Sequence, residues 1–252
     1  LDFFWLHLKR MKKNILIIGY GNIANRLHAI LCKDSYKIYG ISRSKKRGLK
    51  NFIKWDWLSK DLPNIQCNNF DSIIFIPKPT NSHQAGYQEG FLKSSENTFN
   101  FLEASEKIFY KKFITISSTG AYGLSTRQES YLDESSNIVP MFTEENPYPG
   151  DEVDLGQYII RKYEQNQMRR YRNKLIILRL SGLYTSKPIS KNHLHRDTAA
   201  KIIKFFIEND FDFSSPEIFN CTEDASLFVG EKKSSYGNIS NEKIKKLGFI
   251  FD

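Results

Sequence analysis

The features that the sequence lacks limit the kinds of protein that it can encode. The 252 residues contain only three cysteines, and no two of them form a CxxC pair. A small secreted fold built on disulfides is therefore not indicated, nor is a zinc or redox site built on paired cysteines. No apolar run reaches the roughly 20 residues that a membrane-spanning helix needs. These absences predict a folded protein of a reducing compartment, and we expect a cytoplasmic location and no membrane contact.

The chain also lacks a concentrated block of charge, although its formal net charge is +9. Its basic residues are scattered among segments such as SRSKKRGLK, MRRYR and EKIKK. A nucleic-acid site usually needs such residues on one face. We therefore expect no nucleic-acid partner, but a small-molecule substrate for which a basic surface is favourable, and a monomer or homodimer.

A ten-residue segment, LDFFWLHLKR, precedes the first methionine, Met11. It is too short for a secretory signal and has no small-residue cleavage site. We interpret residues 1–10 as an extension upstream of the natural start, and an amphipathic anchor is the alternative.

Short apolar runs alternate with amphipathic helical patterns along most of the remaining chain. The predicted strands lie near residues 15–18, 36–42, 51–57, 71–77, 111–118 and 174–180. This alternation predicts an α/β fold with a doubly wound parallel sheet, the Rossmann arrangement. We assign residues 11–180 to a dinucleotide-binding domain and residues 181–252 to a small C-terminal substrate lobe. Residues 124–153 are polar and rich in proline, which predicts a long surface loop.

The segment GYGNIA follows the first predicted strand and opens a helix. Gly19 permits a tight turn, and Gly21 lets the backbone approach phosphate groups closely. Asn22 and Ile23 begin the helix, whose free N–H groups favour a pyrophosphate. In this position the pattern predicts dinucleotide binding over a purely structural turn.

An NAD site usually has a carboxylate at the end of the second strand, and here none is present. The segment reads GISRSKK, so that Ser42, Arg43 and Ser44 occupy the place. A guanidinium group suits the 2′-phosphate of NADP. We therefore predict NADP in preference to NAD. A merely solvated Arg43 is the alternative.

Ligands of parallel sheets bind beyond the carboxyl ends of the strands. On this basis we assign Ile76, Pro77, Ser117 and Leu180 to the cofactor site. Asp56 lies at the end of the third predicted strand and offers an acceptor to the adenine amino group, with a plain turn-forming role as the alternative.

The ordered segments GYGNIA, SSTGAYG, LRLSGLY and LHRDTAA resemble the extended and atypical short-chain dehydrogenases/reductases, the nucleoside-diphosphate-sugar epimerase group. The resemblance spans about residues 12–205. It implies a nicotinamide cofactor and oxidoreductase or epimerase-like chemistry on a sugar-derived or small carbonyl or alcohol substrate. The short stretch TSKPISKNH after GLY implies a reduced substrate lobe.

The resemblance assigns a proton-handling hydroxyl to Ser118. Tyr158 and Lys162 match the YxxxK pair, in which the tyrosine exchanges the proton while the lysine lowers its pKa and holds the ribose. The three residues are thus the predicted catalytic set.

A second register along the same helix is equally open. Many members of the group carry a glutamate eight residues after the tyrosine. Counting back from Glu164 places Gly156 at the tyrosine position and Ile160 at the lysine position. In that register the chain is an inactive NADP-binding regulator or redox sensor.

Four further residues are predicted to contact substrate: Thr119, Tyr122, Tyr184 and His195. The resemblance implies that His195 braces the site, and Tyr184 either stacks near the nicotinamide or packs in the core. His193 and His195 form an HxH pair without a nearby third ligand, so we predict no metal site.

Overall fold

The computed structural model describes residues 12–31, 33, 35–44, 48–59, 61–104, 108–123, 131–136, 155–188, 190–224 and 238–251. The N-terminal segment 1–10 and most of the predicted loop 124–153 lie outside these residues, so the expectations for them stay predictions.

Seven parallel strands form the central sheet, in the order β3-β2-β1-β4-β5-β7-β10. They are β1 (Lys13–Ile18), β2 (Tyr36–Ser42), β3 (Asn51–Lys54), β4 (Asn69–Phe75), β5 (Phe109–Ser118), β7 (Leu175–Leu180) and β10 (Glu217–Cys221). Two short parallel pairs lie outside the sheet, β6 (Tyr131–Leu132) with β11 (Asn238–Ile239) and β8 (Gly182–Tyr184) with β9 (His193–His195).

The helices of the described residues connect these strands. They are α1 (Asn22–Ile30), α2 (Gln84–Tyr87), α3 (Ser94–Ala104), α4 (Leu155–Tyr171), α5 (Arg196–Glu208) and α6 (Glu242–Lys246). A π-helical segment, Gln88–Lys93, joins α2 to α3, and 3₁₀ turns cover Thr119–Tyr122 and Arg172–Lys174. Among the described helices, none combines the length and apolar character needed to cross a bilayer.

Two hydrophobic clusters cover the two faces of the sheet. One contains residues of α1 and α5, such as Leu27 and Ile203, and the other contains residues of α3 and α4, such as Phe101 and Tyr163. Strands that are covered on both faces need continuous apolar sequences, and the last four residues of β1 are fully buried. The sheet therefore confirms the predicted doubly wound α/β fold.

The seventh strand, β10, has no counterpart in the predicted strands. Its sequence, EIFNC, carries Glu217 and Asn220 and lacks the apolar run that identifies the other strands. It pairs with β7 and extends the sheet. The segment predicted as a small C-terminal substrate lobe, residues 181–252, thus contributes this strand to the main sheet.

Candidate functional site

A cavity of about 680 Å³ opens at the carboxyl ends of β1, β2, β4, β5 and β7. The order of the strands reverses between β1 and β4, and such a switch point is the usual ligand site of an open α/β sheet. Three basic residues, Arg43, Lys78 and Arg196, line this cleft, and no carboxylate does so among the described residues. The cleft is therefore suited to an anionic ligand.

The glycine turn forms one wall of the cleft. It is hydrogen-bonded to β2 and lies close to Ile76, the residue after β4. The amides of Gly19 and Tyr20 donate to the carbonyl of Ile41, at 3.2 and 3.0 Å. Gly19 has a φ of +90°, and a Cβ there would lie 2.3 Å from the carbonyl oxygen of Ile76. The chain itself therefore requires a glycine at position 19.

Gly21 differs from Gly19 in what surrounds it. A Cβ at Gly21 would approach only the oxygen of Gly19, at 3.8 Å. Gly21 precedes α1, whose first turn contains no acidic residue, and its carbonyl accepts the first helical hydrogen bond, from Asn25. The preceding N–H groups of α1 thus have no intrahelical acceptor and lie at the cleft.

The end of β2 contributes the three residues that were assigned to the 2′-phosphate. Ser42, Arg43 and Ser44 all line the cleft, and the Arg43 guanidinium lies 5.6 Å from the ring centroid of Trp57. Asp56 does not line it. The Asp56 carboxylate instead accepts from the amide of Leu58, which favours the turn-forming alternative.

The inner end of the cleft is formed by Ile76, Pro77, Ser117, Ser118 and Leu180. The structure therefore brings the residues assigned to the cofactor together, except for Asp56. The Ser118 hydroxyl accepts a hydrogen bond from the amide of Gly120 at 3.1 Å. It can still donate one, which a carbonyl or alkoxide ligand would accept.

A buried ion pair fixes α4 against the sheet. The Arg179 guanidinium donates to both carboxylate oxygens of Glu164, at 2.9 and 2.7 Å, and both side chains are inaccessible to solvent. The Ser117 hydroxyl donates to the same carboxylate at 2.6 Å. These contacts hold Glu164 beneath β5 and β7. They therefore fix which residues of α4 lie nearer the cleft.

One turn before Glu164, the buried side chain is Ile160. Its Cδ1 would lie 3.5 Å from a Cβ placed on Gly120, beside Ser118. Lys162 is exposed, and neither Tyr158 nor Lys162 lines the cleft. The geometry therefore favours the register set by Glu164, and the catalytic role of Tyr158 and Lys162 stays a prediction.

Tyr20 is the tyrosine that lines the cleft among the described residues. Its hydroxyl contacts His28 Nδ1, and burial raises the pKa of Tyr20 to about 12. A phenol with this pKa stays protonated at neutral pH. Tyr20 therefore packs the glycine turn and is not placed to act as a base.

Tyr122 and Thr119, predicted to contact substrate, do not line the cleft. Tyr122 is fully buried, and its hydroxyl donates to the carbonyl of Asp133 and contacts the side-chain amide of Asn220. The ring lies beneath Arg179. This environment favours a structural role for Tyr122.

Tyr184 and His195 lie in a second, smaller pocket of about 380 Å³. Their rings are in edge contact, and the Tyr184 hydroxyl donates to Glu223 at 2.7 Å. The His195 Nδ1 accepts from the amide of Asp197 and caps α5. No group of three or more potential metal ligands occurs among the described residues.

Several residues that line the cleft were not predicted, among them Trp57, Lys78, Ser181 and Arg196. Lys78 follows a predicted strand and Trp57 ends one, so the rule for carboxyl ends applies to both. Ser181 directly follows the predicted strand at residues 174–180, so the same rule applies to it. Arg196 instead follows β9, which pairs with β8, and no local pattern indicates that it lines the cleft.

The overall structure is similar to several solved structures. A short-chain dehydrogenase/reductase superfamily protein from Agrobacterium tumefaciens with bound NAD has a TM-score of 0.70 at 13% identity, over 95% of this chain and 92% of that one. UDP-glucuronic acid 4-epimerase from Bacillus cereus, in complex with NAD, has a TM-score of 0.66 at 16% identity, over 93% and 89%. A putative NAD-dependent epimerase/dehydratase from Methylobacillus flagellatus has a TM-score of 0.66 at 17% identity, over 96% and 93%.

No protein-family model matches the sequence, and no curated protein matches it. At these low identities the structural likeness shows the fold. The chain therefore has the fold of the NAD-dependent epimerases, dehydratases and reductases, as its motifs predicted, and the activity has to be argued from the cleft.

Proposed function

We propose that this protein binds NADP in the cleft at the carboxyl ends of the strands. The observation that carries the proposal is the charge of the cleft, which three basic side chains and no carboxylate line among the described residues. A dinucleotide with a 2′-phosphate carries more negative charge than NAD and gains more from such a site.

Two parts of NADP, the pyrophosphate and the 2′-phosphate, have complementary groups in the cleft. The free N–H groups at the start of α1 suit the pyrophosphate, and Gly21 leaves room for it. Arg43, flanked by Ser42 and Ser44, suits the 2′-phosphate. Trp57 holds the Arg43 guanidinium by a cation–π contact, which limits its conformational freedom before the ligand binds.

The nicotinamide would lie at the inner end of the cleft, beside Ser118. When bound, the cofactor supplies hydride transfer. The protein contributes the Ser118 hydroxyl as a hydrogen-bond donor to a carbonyl oxygen. In the register set by Glu164, the position of the lysine that would assist the tyrosine is that of Ile160, whose hydrocarbon side chain cannot hold a charge or a proton.

The function that this site supports best is therefore an NADP-binding regulatory or redox-sensing protein without the tyrosine–lysine proton transfer. The observations behind it are the anchored Glu164, the buried Ile160 and the exposed Lys162.

The second candidate is an NADP-dependent oxidoreductase or epimerase-like enzyme that acts on a sugar-derived or small carbonyl or alcohol substrate. One observation favours it: Ser118 lines the cleft with its hydroxyl able to donate. The names of the similar structures, an epimerase among them, agree with this candidate.

Two measurements test these proposals. Calorimetric titration of the full chain should show NADPH binding at least tenfold tighter than NADH, which corresponds to about 1.4 kcal/mol. Equal affinities would contradict the NADP assignment, and an absence of binding would contradict the dinucleotide site. Incubation with NADPH and a panel of aldehydes, ketones and keto-sugars should give no oxidation of NADPH for the regulator, whereas turnover would establish the enzyme.

A further inference from the structure

Two buried polar atoms in the wall of the cleft have no hydrogen-bond partner among the described residues: the Ser181 hydroxyl and the Arg196 Nε. Ser181 is 4% exposed, and both residues line the cleft. Buried polar groups are nearly always paired, and an unpaired one in a cleft suggests a missing ligand.

The carboxylate nearest to Arg196 in the chain points elsewhere. Asp197 contacts Arg26 and lies 3.5 Å from the His195 imidazole. Because no carboxylate lines the cleft among the described residues, the Arg196 charge has no acidic partner there. A buried guanidinium nitrogen without an acceptor, such as the Arg196 Nε, is unfavourable unless a ligand accepts its hydrogen bond.

Arg196, the first residue of α5, lines the same cleft as the first turn of α1. The two helices pack against each other in the same hydrophobic cluster. Arg26 contacts Asp197, the residue after Arg196, and its Nε donates to the Asn22 side chain at 3.0 Å. Asn22 lines the cleft in the first turn of α1, where an anion is favoured.

We propose that Ser181 and Arg196 form a phosphoryl-binding subsite in the cleft, together with the start of α1. The guanidinium supplies a charge-assisted hydrogen bond and the hydroxyl a neutral one. The subsite rests on the proposed function in one respect: the phosphoryl group is either the pyrophosphate of the dinucleotide or belongs to a second, phosphorylated ligand that binds beside it.

The test compares Arg196→Met with Lys204→Met in the full chain. Lys204 lies on the same helix, outside the cleft, so its replacement removes the same charge without touching the subsite. Calorimetric titrations use inorganic pyrophosphate, NADPH and NADH, and they are repeated with inorganic phosphate on the NADPH-loaded protein.

If the pyrophosphate of the dinucleotide occupies the subsite, Arg196→Met should weaken NADPH and NADH alike by roughly tenfold or more, since both carry that group. If a second ligand occupies it, NADPH affinity should stay unchanged while phosphate binding to the loaded protein is lost. Ser181→Ala should act in the same direction with a smaller effect, and Lys204→Met should change neither affinity.

The experiment gives a different result if the proposed function is wrong. A parent protein that binds neither dinucleotide but binds pyrophosphate in an Arg196-dependent way would retain the subsite and refute the cofactor. Unchanged binding of all four probes in Arg196→Met would overturn the subsite.

The ligand-free Arg196→Met variant should melt at or above the temperature of the parent, because an unpaired buried atom is removed. A lower melting temperature that Arg196→Lys restores, with unchanged affinities, would assign Arg196 a structural role instead.

Discussion

The glycine turn and helix α4 differ in what they contribute to the site: the turn lines the cleft, whereas no residue of α4 does so among the described residues. The turn is bare backbone, with Gly21 unobstructed and the free N–H groups of α1 beyond it. Helix α4 is held by the buried carboxylate of Glu164, and it places the hydrocarbon of Ile160 near Gly120. Binding of a dinucleotide and proton transfer to a substrate are thus separable: the residues proposed to bind the phosphates line the cleft, whereas α4 places no titratable side chain there among the described residues.

The largest expected effect comes from breaking the anchor of α4. Glu164→Ala leaves the Arg179 guanidinium buried without a counter-charge, and the free energy of unfolding should fall by about 3–5 kcal/mol. Urea denaturation followed by circular dichroism measures this loss. The control is Glu208→Ala, which breaks the exposed pair with Lys204 and should lower stability by about 0–1 kcal/mol. Equal, small losses in both variants would show that the ion pair does not hold the register of α4.

The second prediction compares the two glycines of the turn by the same substitution. Gly19→Ala should lower the free energy of unfolding by about 2–4 kcal/mol, because the new Cβ overlaps the Ile76 carbonyl and the φ is positive. Gly21→Ala should leave stability within about 1 kcal/mol of the parent and weaken NADPH binding at least tenfold, since its Cβ enters only the space of the ligand. Unchanged calorimetric affinity in Gly21→Ala would contradict a pyrophosphate at the turn.

The third prediction concerns the part of the cleft that distinguishes NADP from NAD. Arg43→Ala should weaken NADPH by roughly tenfold while NADH changes little, because only NADPH carries the 2′-phosphate. The unfolding free energy should change little, as Arg43 is exposed. Trp57→Leu, which removes the cation–π support of Arg43, should give a smaller loss of the same preference. Parallel losses for both dinucleotides would place Arg43 at the pyrophosphate instead.

The difference between the turn and α4 also explains which parts of the fold and of the site could be predicted from the sequence. Gly19 and Arg43 follow strands whose apolar runs are local and easily recognised, so the fold and this part of the cleft lining could be predicted. The register of α4 could not, because it depends on a tertiary contact between Glu164 and Arg179 that spacing alone does not reveal. Arg196 was missed for a similar reason, since its place in the cleft depends on the pairing of β8 with β9.

The smallest expected effect tests the other register of α4. In the structure Lys162 is exposed and outside the cleft, so Lys162→Met should alter the free energy of unfolding by less than about 0.5 kcal/mol. It should change NADPH affinity by less than about twofold, since no contact with the cofactor is lost. Ile160→Val is the matched control on the buried face, and it should lower stability by about 0.5–1.5 kcal/mol. A tenfold loss of NADPH affinity in Lys162→Met, or loss of a turnover that the parent shows, would mean that Lys162 holds the ribose. The Tyr158–Lys162 register would then apply in solution, and the enzyme would replace the regulator as the better description of this site.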